Sequence, residues 1–481
     1  MVHVSKKVID LVGSNAKLIP IIVQTTHDKF TELAKVYVDN LDVTRLAKYR
    51  LSRVSYVRKI PTFDIFATIA TPGEIDALSQ DTNVIGIYYN GVNRILSTAI
   101  PSMPMKVSKT YSLRELYNPY GDTFTTSVYT EKMIGIDKIN NMGYQGKDVK
   151  VTIIDTGVAL RHLQLPTEGG FRFGHYNSVY PWGVFDTTGH GTWCTLLIAG
   201  RKTISTLMGI RSNLFPISVS GIAPKSDWLS IKALDYITGT GTDSDLIAAF
   251  EIGYKQNTKV YSNSWGGKPQ SSDPTDSAFY PVMEKITSEG GIPVFAAGNS
   301  GPSCNTIASP GDLPQVLTVG AWDEIKGELA SFSSRGPTVF NSVKPDVVMP
   351  GVNILNGITG WLSFIYQHIP SRFNAISGTS MATPHMAGFA VLMSEIYNKV
   401  LSKDLTTNEI KRMMCTWAND SGYTQQYIFN SKCDVNREQL VQENDLPKEC
   451  LGVKSNEIGW GMPTFDILNW WLETEYSTTL S

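Results

Sequence analysis

Two polar residues stand at points where side chains of α/β proteins do chemistry. Asp155 follows directly after an apolar run at 149–154 that is typical of a buried strand, and reactive groups collect at the carboxyl ends of parallel strands. His190 lies between two glycines at the start of an apolar run typical of a buried helix, and these glycines let backbone and ligand approach the imidazole closely. Taken alone, each residue also has a structural interpretation, as an acidic turn residue or as a histidine at a helix start.

A hydroxyl and an amide complete the set of reactive side chains. Ser380 lies in the segment Ser-Gly-Thr-Ser-Met-Ala-Thr-Pro-His at the predicted start of a helix. Free backbone N–H groups and the positive end of the helix dipole would there favour the oxyanion formed in acyl transfer. Pro384 fits this position, because a missing N–H near a helix start costs little. Asn299, just beyond a predicted strand, is either a neutral donor for an oxyanion hole or a turn residue before Gly301.

The elements that must position these residues alternate between strand and helix from about residue 134 onward. Apolar periodicity predicts a helix behind the cap candidate Asp243, and another behind a capping box of Thr406 and Glu409. Such alternation predicts a mostly parallel sheet with helices on both faces. The strands are expected at 149–154, 228–234, 260–264, 292–296 and 316–321.

The N-terminal part predicts a smaller, separate unit. Residues 18–90 show the order βαββαβ of a ferredoxin-like α+β domain. Residues 97–133 contain prolines among Ser, Thr and Tyr without a clear period, so we interpret them as a linker. The strands of the small unit are expected at 18–23, 51–56, 63–69 and 84–89, and its helices near 28–38 and 71–78.

Composition argues against several classes of function. The chain has 481 residues, with 42 Lys+Arg against 44 Asp+Glu and 42% hydrophobic residues, a balance that disfavours disorder and nucleic-acid binding. No apolar run approaches the roughly 18 residues of a membrane span. The N-terminus lacks the apolar segment of a secretory signal, so we expect a cytoplasmic protein, or a secreted one if a leader is missing.

Cysteine usage indicates neither a zinc knuckle nor a full disulfide framework. The five cysteines are an odd number and form no Cys-x-x-Cys pair. This count is compatible with a single disulfide bridge, between Cys433 and Cys450.

Taken together, the four reactive segments resemble those of subtilisin-like serine proteases (subtilases) preceded by an inhibitory propeptide. The chain order Asp155, His190, Asn299, Ser380 matches the subtilisin order and differs from that of chymotrypsin. The resemblance implies a subtilisin-like α/β catalytic domain at 134–474, a propeptide at 18–96 and a linker at 97–133. Further matches are the segments at 221–224, 331–337, 344–347, 350–351 and 459–461.

The resemblance also implies a mechanism and a mode of substrate binding. Ser380 would attack the peptide bond, His190 would transfer the proton and Asp155 would orient the imidazole, while Asn299 and the Ser380 N–H bind the oxyanion. No metal or cofactor is expected. The peptide substrate would pair with two enzyme strands, with broad specificity and an apolar preference. The expected binding residues are Gly239, Thr240, Gly241, Ser264, Trp265, Gly266, Ala296, Ala297 and Gly298; Trp265 alternatively is a core aromatic.

The family pattern further implies a self-processing zymogen. It places the junction between Leu96 and Ser97, where we expect the chain to cut itself. The propeptide would then remain as an inhibitor with its tail in the groove.

Some positions depart from the family pattern. Trp193 stands where many relatives have a second histidine, so local packing must differ. Cys194 matches the position of a cysteine in the proteinase K-like branch, and is either a buried inert thiol or a mercurial-sensitive group under His190. Gln164 and residues 215–219 offer poor calcium ligands, so we expect no calcium at that site.

Two other classes of protein share part of this pattern. A sedolisin-type serine–carboxyl peptidase shares the Ser-Gly-Thr-Ser signature, but it uses Glu and Asp, and His190 argues against it. A catalytically silent subtilase-fold binding or scaffold protein is the alternative from a different class.

Overall fold

The chain folds into a small N-terminal unit and a larger α/β unit in the computed structural model. No helix in the described part of the chain has both the length and the apolar character to cross a lipid bilayer. The described residues are 2–14, 16–42, 56–96, 125–159, 162–165, 172–174, 185–206, 216–235, 238–359, 372–424, 428, 431–434, 450 and 452–480.

The N-terminal unit consists of β1 (His3–Val4), α1 (Lys6–Gly13), β2 (Ile19–Thr25), α2 (Phe30–Ala34), β3 (Arg58–Ile60), β4 (Ile65–Ala70), α3 (Pro72–Gln80) and β5 (Val84–Tyr89). Its sheet has the order β1-β5-β2-β4-β3, and β2 pairs antiparallel with both β4 and β5. Without β1, this is the predicted ferredoxin-like order. The expected strand at 51–56 lies almost wholly outside the described residues, and β3 occupies its place. The two-residue β1 is too short to show a sequence period.

The larger unit has its strands in one mostly parallel sheet, with smaller sheets beside it. Its strands are β6 (Val92–Ile95), β7 (Thr125–Thr126), β8 (Lys150–Asp155), β9 (Arg172–Gly174), β10 (Thr203–Thr206), β11 (Pro216–Val219), β12 (Asp227–Lys232), β13 (Thr240–Thr242), β14 (Val260–Asn263), β15 (Trp265–Gly266), β16 (Ile292–Ala296), β17 (Leu317–Asp323), β18 (Glu328–Leu329), β19 (Val347–Pro350), β20 (Ile354–Ile358) and β21 (Arg372–Ile376). The main sheet has the order β18-β17-β16-β14-β8-β12-β9, with β19 also paired to β17, and all pairs except β17–β18 are parallel. The fold class is α/β, as expected.

The helices of the larger unit cover the sheet, and the helix Thr379–Ile396 is buried along its whole length. The apolar side chains of most helices share one large buried cluster with the inner strands, whereas those of the helices Asp243–Lys255 and Tyr280–Ser288 lie in a second one, as expected for a sheet with both faces covered. They are α4 (Ser127–Met133), α5 (Ile136–Asn141), α6 (His190–Ala199), α7 (Asp243–Lys255), α8 (Tyr280–Ser288), α9 (Thr379–Ile396), α10 (Thr407–Ser421) and α11 (Phe465–Tyr476).

Two local expectations were wrong. Residues 97–124 lie outside the described part, but the end of the expected linker forms β7 and α4, because Ser127, Thr130 and Glu131 are buried against the larger unit. The N-cap of α7 is Thr242, whose hydroxyl accepts a hydrogen bond from the Asp245 N–H, and Asp243 is the first helical residue.

The cysteine pairing also differs from the expectation. The disulfides are Cys304–Cys433 and Cys415–Cys450, so a Cys433–Cys450 bridge is excluded. Spacing along the chain could not reveal this, because Cys304 is 129 residues away from its partner.

Candidate active site

Asp155 and His190 meet at the carboxyl end of β8. The Oδ1 atom of Asp155 lies 2.8 Å from His190 Nδ1, and both side chains are fully buried. Burial alone would lower the pKa of His190, but the adjacent Asp155 carboxylate outweighs it and raises this pKa well above 6.5. Among the described residues, Nε2 of His190 has no hydrogen-bond partner. The imidazole therefore has one nitrogen held by a carboxylate and the other available.

The first turn of α6 is held by a carboxylate that the sequence analysis did not single out. Asp186 is buried and accepts hydrogen bonds from the N–H groups of Gly189 and Thr192, at 2.8 and 2.7 Å. A carboxylate beside the N-terminus of a helix stabilises that helix. In the sequence, this role is indicated by an acidic residue just before the predicted helix. At Gly191 a Cβ would lie 2.4 Å from the carbonyl oxygen of Gly157, so only glycine allows this approach.

Ser380 lies in the first turn of α9 and is fully buried. Its hydroxyl donates to the carbonyl oxygen of Ser264, 2.8 Å away, while the Ser264 hydroxyl donates to the Ser380 carbonyl at 2.9 Å. Cys194 joins this serine to the imidazole, because its sulfur is 3.7 Å from the Ser380 carbonyl oxygen and 4.0 Å from His190 Nδ1. The backbone of Ser380 and the imidazole of His190 thus border the same buried thiol.

The amide of Asn299 is oriented by the start of α9. Its Oδ1 accepts hydrogen bonds from both the N–H and the hydroxyl of Thr379, each at 2.9 Å. Its Nδ2 is therefore turned away, and within the described part of the chain this buried donor has no partner. Such a fixed, unused donor can bind a developing negative charge.

The strand that directly follows the N-terminal unit along the chain fills the groove next to these residues. Strand β6 lies between β13 and β15 and pairs antiparallel with both. The Leu96 N–H faces Ser380 Oγ and the Ser264 carbonyl at 3.1 and 3.2 Å, and the Leu96 carbonyl accepts from the Ser380 N–H at 3.2 Å. The Ile95 N–H donates to the Gly239 carbonyl at 3.0 Å.

The expected binding residues surround this segment through their main chains. The Leu96 side chain packs with Ala296 and Ala308, and a Cβ at Gly298 would meet Ala308 and Ser334. Trp265 fits both interpretations, because its backbone pairs with β6 while its fully buried indole packs among aromatic rings of the core. Of the remaining expected residues, Thr240 and Gly241 pair with β6, Gly266 lies on β15, and Ala297 is buried.

Two features concern metals. The ligand atoms of Asp155, His190 and Cys194 all lie within 4.8 Å of one another, but the carboxylate already holds the imidazole. Burial raises the pKa of the Cys194 thiol, which therefore stays protonated at neutral pH. Gln164 donates from Nε2 to Asn356 Oδ1 at 3.0 Å, while Phe215 lies outside the described residues, so the absence of calcium stays a prediction.

Comparison with known proteins agrees with this geometry. Residues 146–443 match the model of the subtilase family. Serine protease AprX of Bacillus subtilis is 31% identical over 353 residues, covering 68% of this chain and 74% of that protein. Subtilisin DY of Bacillus licheniformis is 32% identical over 303 residues, covering 62% and 93%, respectively. Together with the fold, these similarities define a serine-type endopeptidase. The chain belongs to the subtilase family.

Proposed function

We propose that this endopeptidase works through an acyl-enzyme formed on Ser380, with His190 as the proton carrier and Asp155 as the orienting acid. Nε2 of His190 takes the proton of the Ser380 hydroxyl, which first rotates away from the Ser264 carbonyl. The serine oxygen then attacks the peptide carbonyl, and the protonated imidazole returns the proton to the departing amine. Water hydrolyses the acyl-enzyme by the same proton route.

Two donors stabilise the oxyanion in this mechanism. The Ser380 N–H already donates to the Leu96 carbonyl, and the unpartnered Nδ2 of Asn299 supplies the second donor. Asn299→Leu should leave Ser380 open to acylation but slow turnover by roughly 10²–10³-fold, a magnitude known for subtilisin, a relative of this chain. Fluorophosphonate labelling with normal peptide turnover would contradict the role of Asn299.

The chain is a zymogen that cuts itself between Leu96 and Ser97. The position of Leu96 supports this proposal, since its N–H is hydrogen-bonded to the Ser380 hydroxyl and its carbonyl accepts from the Ser380 N–H. The N-terminal unit then remains bound as an inhibitor. Besides the strand pairing of β6, a buried ion pair joins Arg58 to Asp245, and the Thr62 N–H donates to Glu251 Oε1 at 2.7 Å.

The decisive experiment compares intact masses and active-site labelling. The purified wild-type chain should yield two fragments separated at Leu96–Ser97, whereas Ser380→Ala should keep the full mass. Once its bound N-terminal unit has been removed, the processed wild type should be labelled by a fluorophosphonate, whereas Ser380→Ala and His190→Ala should not. Identical masses would contradict self-processing, and absence of label on the wild type would favour the silent scaffold instead.

A further inference from the structure

We propose that the enzyme selects a hydrogen-bond-donating side chain, an amide or an ammonium, at the fourth residue before the cleaved bond, and that Asp243 reads it. This inference rests on the proposed function, because it takes β6 as the image of a bound substrate. We call the surroundings of this side chain the distal subsite, formed by Asp243, Gly267 and the adjoining cavity that reaches Asp312.

The alternation of β6 identifies which substrate side chains the enzyme contacts. Asn93, Ile95 and Leu96 are buried, while Val92 and Arg94 are exposed. With Leu96 directly before the cleaved bond, Asn93 is the fourth residue. In β-pairing, main-chain hydrogen bonds give affinity and alternate side chains give specificity. The side chain at Asn93 is therefore one that the enzyme contacts and can select.

The polar contact at this position is specific to the side chain. Asn93 Nδ2 donates to Asp243 Oδ1 at 2.5 Å, and the Gly91 N–H donates to Asp243 Oδ2 at 2.7 Å. The Asp243 N–H in turn donates to the Gly91 carbonyl at 3.0 Å. The carboxylate thus recognises one side chain and one main-chain group of the bound segment. Its place in the first turn of α7 favours the negative charge.

The charge of the subsite decides which side chains suit it. Burial raises the pKa of Asp243 from 3.8 to about 6, so the carboxylate is still charged at neutral pH. An aliphatic side chain here would bury that charge without a partner for Oδ1, and an acidic one would repel it. Only a donor satisfies it.

A cavity next to Asn93 and Asp243 is the space that a longer donor would enter. It measures about 50 Å³ and is lined by Asn93, Asp243, Gly267 and Asp312, among others. Within the described residues, the buried Oδ1 of Asp312 has no hydrogen-bond partner. A lysine would place its ammonium group against Asp243, while the rest of the cavity carries charges of both signs, from Asp273 and Asp276 and from Lys7 and Lys268.

The test uses internally quenched peptides with the sequence of residues 91–98. Peptides carrying Asn, Lys, Leu or Asp at the position of Asn93 are offered at neutral pH to the self-processed enzyme, after its bound N-terminal unit has been removed. We expect kcat/KM for the Asn and Lys peptides to exceed that for the Leu and Asp peptides by roughly 10- to 100-fold, the range of a charge-assisted hydrogen bond. In Asp243→Asn the advantage of Lys over Leu should vanish, and the Asp peptide should improve. The control is Asp466→Asn, an exposed acid on α11, which should keep the wild-type ranking.

The outcomes separate this inference from the proposed function. Equal cleavage of all four peptides, or an unchanged ranking in Asp243→Asn, would overturn the role of Asp243 while leaving the protease intact. Absence of both cleavage and fluorophosphonate label would overturn both. If Asp243→Asn does not fold, the substitutions Asn93→Asp and Asn93→Lys are tested in the full chain instead. Asn93→Asp should slow the appearance of the processed mass, and Asn93→Lys should not. Equal processing rates would then contradict the inference.

Discussion

His190 is the residue whose environment sets the response of the site to pH. Its imidazole must be neutral to accept the serine proton. Burial disfavours the charged imidazole, but the Asp155 carboxylate at 2.8 Å favours it more strongly, and the net result is a raised pKa. A base with a raised pKa is protonated, and therefore idle, over a wider range of acidic pH.

We expect kcat/KM for a peptide substrate to rise with pH, with a midpoint above the ordinary 6.5 of histidine. Asp155→Asn removes the charge that raises the pKa of His190, so the midpoint of its residual activity should move to lower pH, and the rate should fall by roughly 10⁴-fold. The measurement is kcat/KM of both enzymes between pH 5 and pH 10. The ionic strength is kept constant, because salt screens interactions between charges. Coinciding midpoints would mean that Asp155 does not control the charge of His190.

At the scale of elements, the strand β19 begins at a buried charge cluster. Asp346 precedes it and accepts from Lys344 Nζ at 2.7 Å and from Lys454 Nζ at 2.6 Å, and all three side chains are almost fully buried. Burial alone would raise the pKa of Asp346, but these ammonium groups outweigh it and hold this pKa far below 3.8. The cluster joins β19 to the C-terminal segment through Lys454.

Asp346→Asn should therefore lower the free energy of unfolding by roughly 3–5 kcal/mol, because it leaves buried ammonium groups uncompensated. Since the pKa is depressed, this stabilisation is present above pH 3.8 and is lost as the pH falls below that value. Urea unfolding of both chains in a Ser380→Ala background, which prevents self-digestion, measures the difference at neutral pH. Asp466→Asn, which breaks an exposed pair with Lys138, is the control and should cost at most about 1 kcal/mol. A comparable loss of unfolding free energy in both variants would contradict the stabilising role of the buried cluster.

The strands around the site were predictable and the contacts between distant segments were not. Continuous apolar runs predicted strands that match β8 and β16 to within a residue or two, because both faces of these strands are buried. The sequence also indicated Asp155, His190, Asn299 and Ser380 through their glycine-rich surroundings. Apolar pattern alone, however, carries no information about which side chains meet across 150 residues, so the contact of Asn93 with Asp243 required the structure.

At the scale of the whole molecule, both disulfides fasten the C-terminal part of the chain. Cys304, in the loop after Asn299, binds Cys433, and Cys415 on α10 binds Cys450. In the chain-entropy account, closing loops of this length stabilises a fold by about 3–5 kcal/mol each. Disulfides persist in oxidising compartments, which argues for the secreted alternative over the cytoplasmic one.

The pairing leaves Cys194 as the one free thiol among five cysteines, and it is buried beside His190. The native chain should therefore give no rapid reaction with a thiol reagent, the denatured chain one equivalent, and the denatured and reduced chain all five. Cys194→Ala should abolish the single equivalent, whereas Cys433→Ala should add its freed partner Cys304 and lower the melting temperature. Thiol titration in denaturant, with calorimetry of the same samples, measures both effects. Five equivalents without reductant would show that neither bridge forms, and the C-terminal part would then have to be held by packing and by the Asp346 cluster alone.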